Sequence, residues 1–250
     1  MNGRQDLIDH HRPAKRLLVC ALLLVPGVTL AADERKATEG DTRLLAGWTV
    51  HVSKGLLDKE PTATARALEL LQAQLEEIVR VVPTAAVGEL QKVPLWISPE
   101  YPGVKPCAEY HPDAGWLRQH GRDPAMAKSV EFSNVRIFEA ETRRMPNFTL
   151  HELAHAYHDR VLPGDFGNRE IKTVWEKAKA SGKYDRVEQR FGDGRTANVR
   201  AYAIADPQEY FAESTEAFFS RNDFYPFTRD ELRRHDPEMF ELLAKLWGVP

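Results

Sequence analysis

Residues 149–159 read TLHELAHAYHD, with three histidines and a glutamate inside eight positions of a run otherwise rich in alanine and leucine. Residues four apart on an α-helix share one face about 6 Å apart along the axis, so His151 and His155 can offer two imidazole nitrogens to one metal ion. Glu152 projects beside that ion, where a carboxylate can take a proton from bound water and return it to a leaving amine. That is the chemistry behind the H-E-x-x-H pattern of zinc hydrolases. The uncharged residues Leu150, Leu153, Ala154 and Ala156 suit a helix buried behind a metal. A catalytic zinc takes three protein ligands and leaves a fourth position to water, so a third ligand has to be found. His158 lies near the His151 face but two turns away, and Asp159 is farther still, so neither reaches the same ion along a continuous helix. Hydrogen bonding behind the ligands, or packing, is left for them.

A later stretch, DPQEYFAESTEAFF at 206–219, carries Glu209, Glu213 and Glu216 at i, i+4 and i+7. The spacing puts three carboxylates on one helical face, ordinarily a solvated one. Here Tyr210, Phe211, Phe218 and Phe219 require substantial burial, and buried carboxylates need partners such as a metal and its histidines. Glu209 also suits the third position of a capping box opened by Asp206, so spacing leaves Glu209 and Glu213 both open as ligands.

Taken together, HELAH and the later YAIADPQEYFAES resemble the catalytic domain of the anthrax lethal factor family and the related Pro-Pro endopeptidases, in the gluzincin branch of the zincin metallopeptidases. In that family a tyrosine stands seven residues before a glutamate ligand, and an aromatic pair, alanine and glutamate follow it; Tyr202 and EYFAE match both features. The resemblance implies that His151, His155 and Glu209 hold one zinc ion, that Glu152 is the general base and that Tyr202 steadies the oxyanion. It also implies that Glu213 orients a zinc-binding histidine, and that the substrate is a peptide or protein. The resemblance spans about 65 residues and includes no substrate-recognition loop.

The elements that must position these residues are partly legible. GWTVHVS alternates Trp48, Val50 and Val52 on one face, as a half-buried strand does. PTATARALELLQAQLEEIVRVV opens with Pro61 and carries Leu68, Leu71, Leu75, Ile78, Val79 and Val82 as an apolar stripe at helical spacing. Residues 33–43 read as a solvated lead-in, and VPLWIS (93–98) as a second strand. SVEFSNVRIF (129–138) reads as strand material whose phase changes near Ser133 and Asn134, and an extended substrate could pair with it. The intervening segment, rich in proline, glycine and aromatics, is long and irregular, often a functional trait in a compact domain. After the histidine motif the chain is mainly helical. Asp206–Pro207, Thr228 with Glu231, and Asp236–Pro237 mark helix starts, and Gly248 marks an end. The expected class is α+β and zincin-like: an N-terminal helix and small sheet, then the HExxH helix and a helical C-terminal half.

Length and composition suit one soluble domain with a real core. Residues 1–32 differ from the rest. Arg12, Lys15 and Arg16 precede the apolar run LLVCALLLVPGVTL, after which small residues and then polar ones follow, the layout of a secretory signal peptide. Pro26 and Gly27 break the run too early for a membrane span. The expected domain is therefore 33–250, secreted or periplasmic. The leader carries four basic residues against two acidic ones, so its removal takes the net charge from −3 to −5. A mildly acidic chain without a basic cluster has no electrostatic claim on nucleic acid. Only Cys107 would remain, so no intramolecular disulfide is expected. The competing expectation is a zinc-stabilised binding module that keeps the fold without activity; intact Glu152 and Tyr202 argue against it, since a structural site needs neither.

Overall fold

The computed structural model describes residues 40–249; the expected signal peptide at 1–32 lies outside them. Strands β1 (Gly40–Leu45) and β2 (Trp48–Ser53) form an antiparallel hairpin through Ala46 and Gly47. Gly47 has φ +96°, a backbone that favours glycine. Trp48, Val50 and Val52 are buried, as their alternation predicts. The lead-in expected through residue 43 is corrected: from Gly40 it is an exposed edge strand. Helix α1 (Lys54–Lys59) leads into α2 (Pro61–Val81), where Leu68, Leu71, Leu75 and Ile78 face the core while Val79 turns outward at 46% exposure. Helix α3 (Thr84–Leu90) and strand β3 (Leu95–Ile97) follow.

The irregular segment after β3 contains β4 (Ala108–His111) and α4 (Ala114–Gln119) before β5 (Ser129–Phe132). The sheet order is β1-β2-β3-β5-β4; β2, β3 and β5 run parallel, and β4 pairs antiparallel with β5 at one edge. Two expectations for SVEFSNVRIF are thereby corrected. Its strand ends at Phe132, a turn closes where the Ile137 amide donates to Asn134 O, and α5 (Phe138–Arg144) begins within it. Because β5 is paired on both sides, it offers no edge to an added strand; the sheet's edges are β1 and β4, and β4 is the one beside β5.

Beneath the sheet lies α6 (Phe148–Arg160), which carries the histidine motif. The sequence starts it firmly: Asn147 accepts the Leu150 amide at 3.0 Å as N-cap, while its own Nδ2 donates to Gln74 O and Glu77 Oε2, both at 3.0 Å. Gln74 Oε1 in turn accepts the Thr149 amide. The first turn of α6 is thus pinned to the buried face of α2. Helix α7 (Arg169–Ser181), the hairpin β6 (Val187–Arg190) and β7 (Thr196–Val199), and helices α8 (Pro207–Phe219), α9 (Arg229–His235) and α10 (Pro237–Trp247) complete the described chain. Asp206 and Asp236 cap α8 and α10, and Gly248 ends α10 in the left-handed region. Thr228 precedes α9, but its hydroxyl donates to Glu231 rather than capping an amide. One apolar core joins the sheet to α2, α6, α8 and α10. The class is α+β, consistent with a zincin-like peptidase fold.

On the face of β4 and β5 away from Tyr110 sits a polar cluster. Buried Glu131 accepts from Tyr101 Oη at 2.6 Å and Arg122 Nη1 at 3.2 Å, and lies 2.8 Å from His111 Nε2. Arg122 also donates to Glu109 at 2.5 Å. Burial opposes charge on Glu131, but the contacts from His111, Ser98 and Tyr101 outweigh it and hold its pKa below the usual value.

Candidate metal centre

Helix α6 aims both motif histidines at one point. His151 Nε2 and His155 Nε2 stand 3.1 Å apart. The third group comes from the first turn of α8, where the Asp206 side chain accepts the Gln208 and Glu209 amides at 2.9 Å. The Glu209 side chain does not close a capping box; it turns inward, and Oε2 lies 3.2 Å from His151 Nε2 and 3.6 Å from His155 Nε2. Ligand atoms of the three residues all lie within 4.8 Å of one another. Tyr202, in a short 3-10 turn before α8, donates its hydroxyl to Glu209 Oε1 at 3.0 Å.

Orientation of His151 comes from Glu216. Its Oε1 stands 2.7 Å from Nδ1, where a carboxylate accepts the Nδ1 hydrogen and leaves Nε2 bare for a metal. Sequence reading placed Glu213 in this role, and the structure corrects it. Glu213 is buried nearby, but its Oε2 has no hydrogen-bond partner, and it is Glu216 that touches the ring. Helical angle is consistent with the exchange, since at 100° per residue position i+7 returns to within about 20° of Glu209 while i+4 is rotated about 40° the other way. It does not by itself choose the side of His151. Glu216 also sits one turn deeper, where the far side of the imidazole is.

Glu152 points toward the sheet, and its Oε2 accepts the backbone amide of Tyr110 in β4 at 2.9 Å. No sequence signal marked Tyr110, since it lies in the irregular segment. Asp159 accepts from Tyr110 Oη at 2.6 Å and Lys128 Nζ at 2.5 Å, away from the metal ligands. His158 is fully buried between the rings of Phe166 and Phe211, with neither ring nitrogen hydrogen-bonded, and burial holds its pKa down at about 4.

The residues present fit a divalent cation. Four carboxylates, from Glu152, Glu209, Glu213 and Glu216, lie buried or half-buried around two imidazoles. Glu209 Oε2 is buried and accepts no well-formed hydrogen bond while facing both Nε2 atoms. Burial opposes charge on His151, yet Glu209 and Glu216 outweigh it and raise its pKa. Burial pushes Glu216 up to about 7 against the pull of His151, and Glu213 well above the usual carboxylate range. Carboxylates thus crowd the point where two nitrogens and one oxygen converge, a donor set suited to zinc. Glu152 is raised by burial, against the neighbouring histidines, which moves a base toward neutral pH.

Comparison with known proteins bears on the same residues. Residues 129–247 match the family model described as glucose-regulated metallo-peptidase M90. No curated protein matches. Among solved structures, the Pro-Pro endopeptidase PPEP-2 from Paenibacillus alvei is similar, with 23% identity over 79% of this chain and 95% of that one and a TM-score of 0.45. The family span contains every converging group from His151 to Glu216, and the chain is a metallopeptidase, a hydrolase that works with a bound metal ion.

Proposed function

We propose that the protein is an exported zinc endopeptidase in which His151, His155 and Glu209 hold zinc, Glu152 is the general base and Tyr202 stabilises the oxyanion. The observation that carries this reading is the convergence of His151 Nε2, His155 Nε2 and Glu209 Oε2 beside a Glu152 carboxylate held by a backbone amide. Bound zinc would supply Lewis acidity, lowering the pKa of a coordinated water and polarising the scissile carbonyl. Glu152 takes the proton of the attacking water and passes it to the leaving nitrogen, so the amine departs neutral. The Tyr202 hydroxyl, which donates to Glu209, can give that hydrogen to the carbonyl oxygen as its charge builds; burial first, then Glu209, raises its pKa and keeps it protonated for the task. Glu216 holds the His151 ring in the tautomer that presents Nε2. An extended peptide lies along the edge of β4 beside Glu152, whose carboxylate holds the Tyr110 amide of that edge. Export rests on the leader pattern at 1–32.

The test is residues 33–250 incubated with a diverse peptide library, with and without chelator, with cleavage sites read by mass spectrometry. Chelator-sensitive cleavage that disappears in Glu152→Gln, with zinc still bound at one ion per chain, supports the reading. Undiminished turnover in Glu152→Gln sinks it.

A further inference from the structure

Tyr110 touches α6 at two places. Its backbone amide donates to Glu152 Oε2 at 2.9 Å and its phenol donates to Asp159 Oδ2 at 2.6 Å. Glu152 and Asp159 are seven residues apart, on nearly one face of α6 and about 10 Å apart along its axis. One residue of the edge strand thus spans two turns of the helix that carries the base and two metal ligands. The phenol end is reinforced from outside the strand. Lys128 pairs with the same Asp159 oxygen at 2.5 Å, its amide donates to His111 O at 2.6 Å, and its carbonyl accepts from Arg160 at 3.1 Å. Lys128 holds φ +61°, a conformation L residues rarely adopt and one that persists only where surrounding contacts determine it. Asp159 and Tyr110 are buried, so the phenol meets its acceptor largely out of water, where such hydrogen bonds are strong, while the half-exposed Lys128 adds its charge from the solvent side.

We infer that Tyr110 is a positioning residue of the reaction, with Asp159 and Lys128 as its anchor: the phenol fixes β4 at one height over α6, and that height sets the amide that aims the Glu152 carboxylate. The inference rests on the proposed role of Glu152 as base. It assigns Asp159, which binds no metal, a part in catalysis exerted entirely through Tyr110. The strand's other ties are its pairing with β5, the Glu131 cluster on its other face and the packing of the Tyr110 ring against Phe166, and none of these hydrogen-bonds Glu152. Without the phenol, β4 stays in the sheet but its outward amide is free to drift from the carboxylate.

Tyr110→Phe keeps the ring and the amide and removes only the hydroxyl; Asp159→Asn keeps an acceptor for the phenol and removes the counter-charge of Lys128. Amide deuterium exchange of 108–111 in the metal-free protein reads the strand directly. In Tyr110→Phe it is expected to quicken about tenfold, with α8 unchanged. In the zinc-loaded enzyme kcat is expected to fall about tenfold with KM within twofold and one zinc per chain retained. Asp159→Asn should lie between wild type and Tyr110→Phe, and the double variant should be no worse than Tyr110→Phe alone, because both act through one contact. Unchanged exchange at 108–111, faster exchange with unchanged kcat, or additive losses in the double variant would each overturn the inference. A wild-type protein that cut no peptide would remove the proposed function, while the exchange measurement would still judge whether the phenol holds β4.

Discussion

Glu209, Glu213 and Glu216 have the same side chain on one buried helix, and their surroundings give them three different chemistries. Glu209 faces the two Nε2 atoms, Glu216 takes the far side of His151, and Glu213 stands within 4.8 Å of His151 without a hydrogen bond to it. Glu209→Ala should therefore lower zinc affinity most, by removing a donor atom. Glu216→Ala should cost about 10- to 100-fold, the usual effect of removing the partner that orients a ligating histidine. Glu213→Ala should cost less than either, and competition titration with a zinc chelator gives the order; a larger loss in Glu213→Ala than in Glu216→Ala would contradict the geometry. The motif histidines were legible because four-residue spacing is itself a statement about one helical face. Glu216 was not, because assigning it requires knowing which side of His151 the second helix passes.

At the scale of elements, the site depends on how α6 and β4 are held. Asn147 caps α6 and bonds α2, all without solvent exposure. Asn147→Ala removes the side-chain cap on the Leu150 amide and the donor to Gln74 O and Glu77 Oε2, and should cost roughly 2 kcal/mol by denaturant titration. The pairing of β5 with the edge strand β4 carries a pH dependence through Glu131 of β5, which meets His111 across it. Its folded pKa lies below the unfolded value of about 4.3, so its stabilisation is complete above that value and is lost as pH falls through the lower folded one. Wild type should lose Tm on acidification from pH 5 more steeply than Glu131→Gln, which at neutral pH should be roughly 3 kcal/mol less stable because Arg122 and His111 lose a buried partner. Parallel melting curves would contradict this. Longer helices declared themselves, α2 through its apolar periodicity and an opening proline and α8 through its Asp-Pro start. The short elements β4, α4 and α5 did not, since four to seven residues carry too little periodicity and their polar network becomes visible only when distant residues meet.

For the whole molecule, the decisive quantity is linkage between metal and stability. The carboxylates around His151 and His155 are buried at a cost that the core must cover when no cation is bound, and among the described residues no disulfide shares the load. A ligand that binds only the folded chain adds RT ln(1 + [L]/Kd), about 4 kcal/mol at a thousandfold excess over Kd. For a domain of this length each kcal/mol moves Tm by about 3 °C, so zinc should raise the Tm of metal-free protein by roughly 10 °C and chelator should reverse it. The same measurement separates binding from chemistry. Glu152→Gln, which leaves the three donors in place, should keep the full zinc-dependent rise while losing cleavage. Glu209→Ala should lose most of the rise, because it removes one of the three donor atoms. A wild-type Tm indifferent to zinc and chelator would mean that the converging nitrogens and oxygen do not form the metal centre, whatever activity the preparation showed.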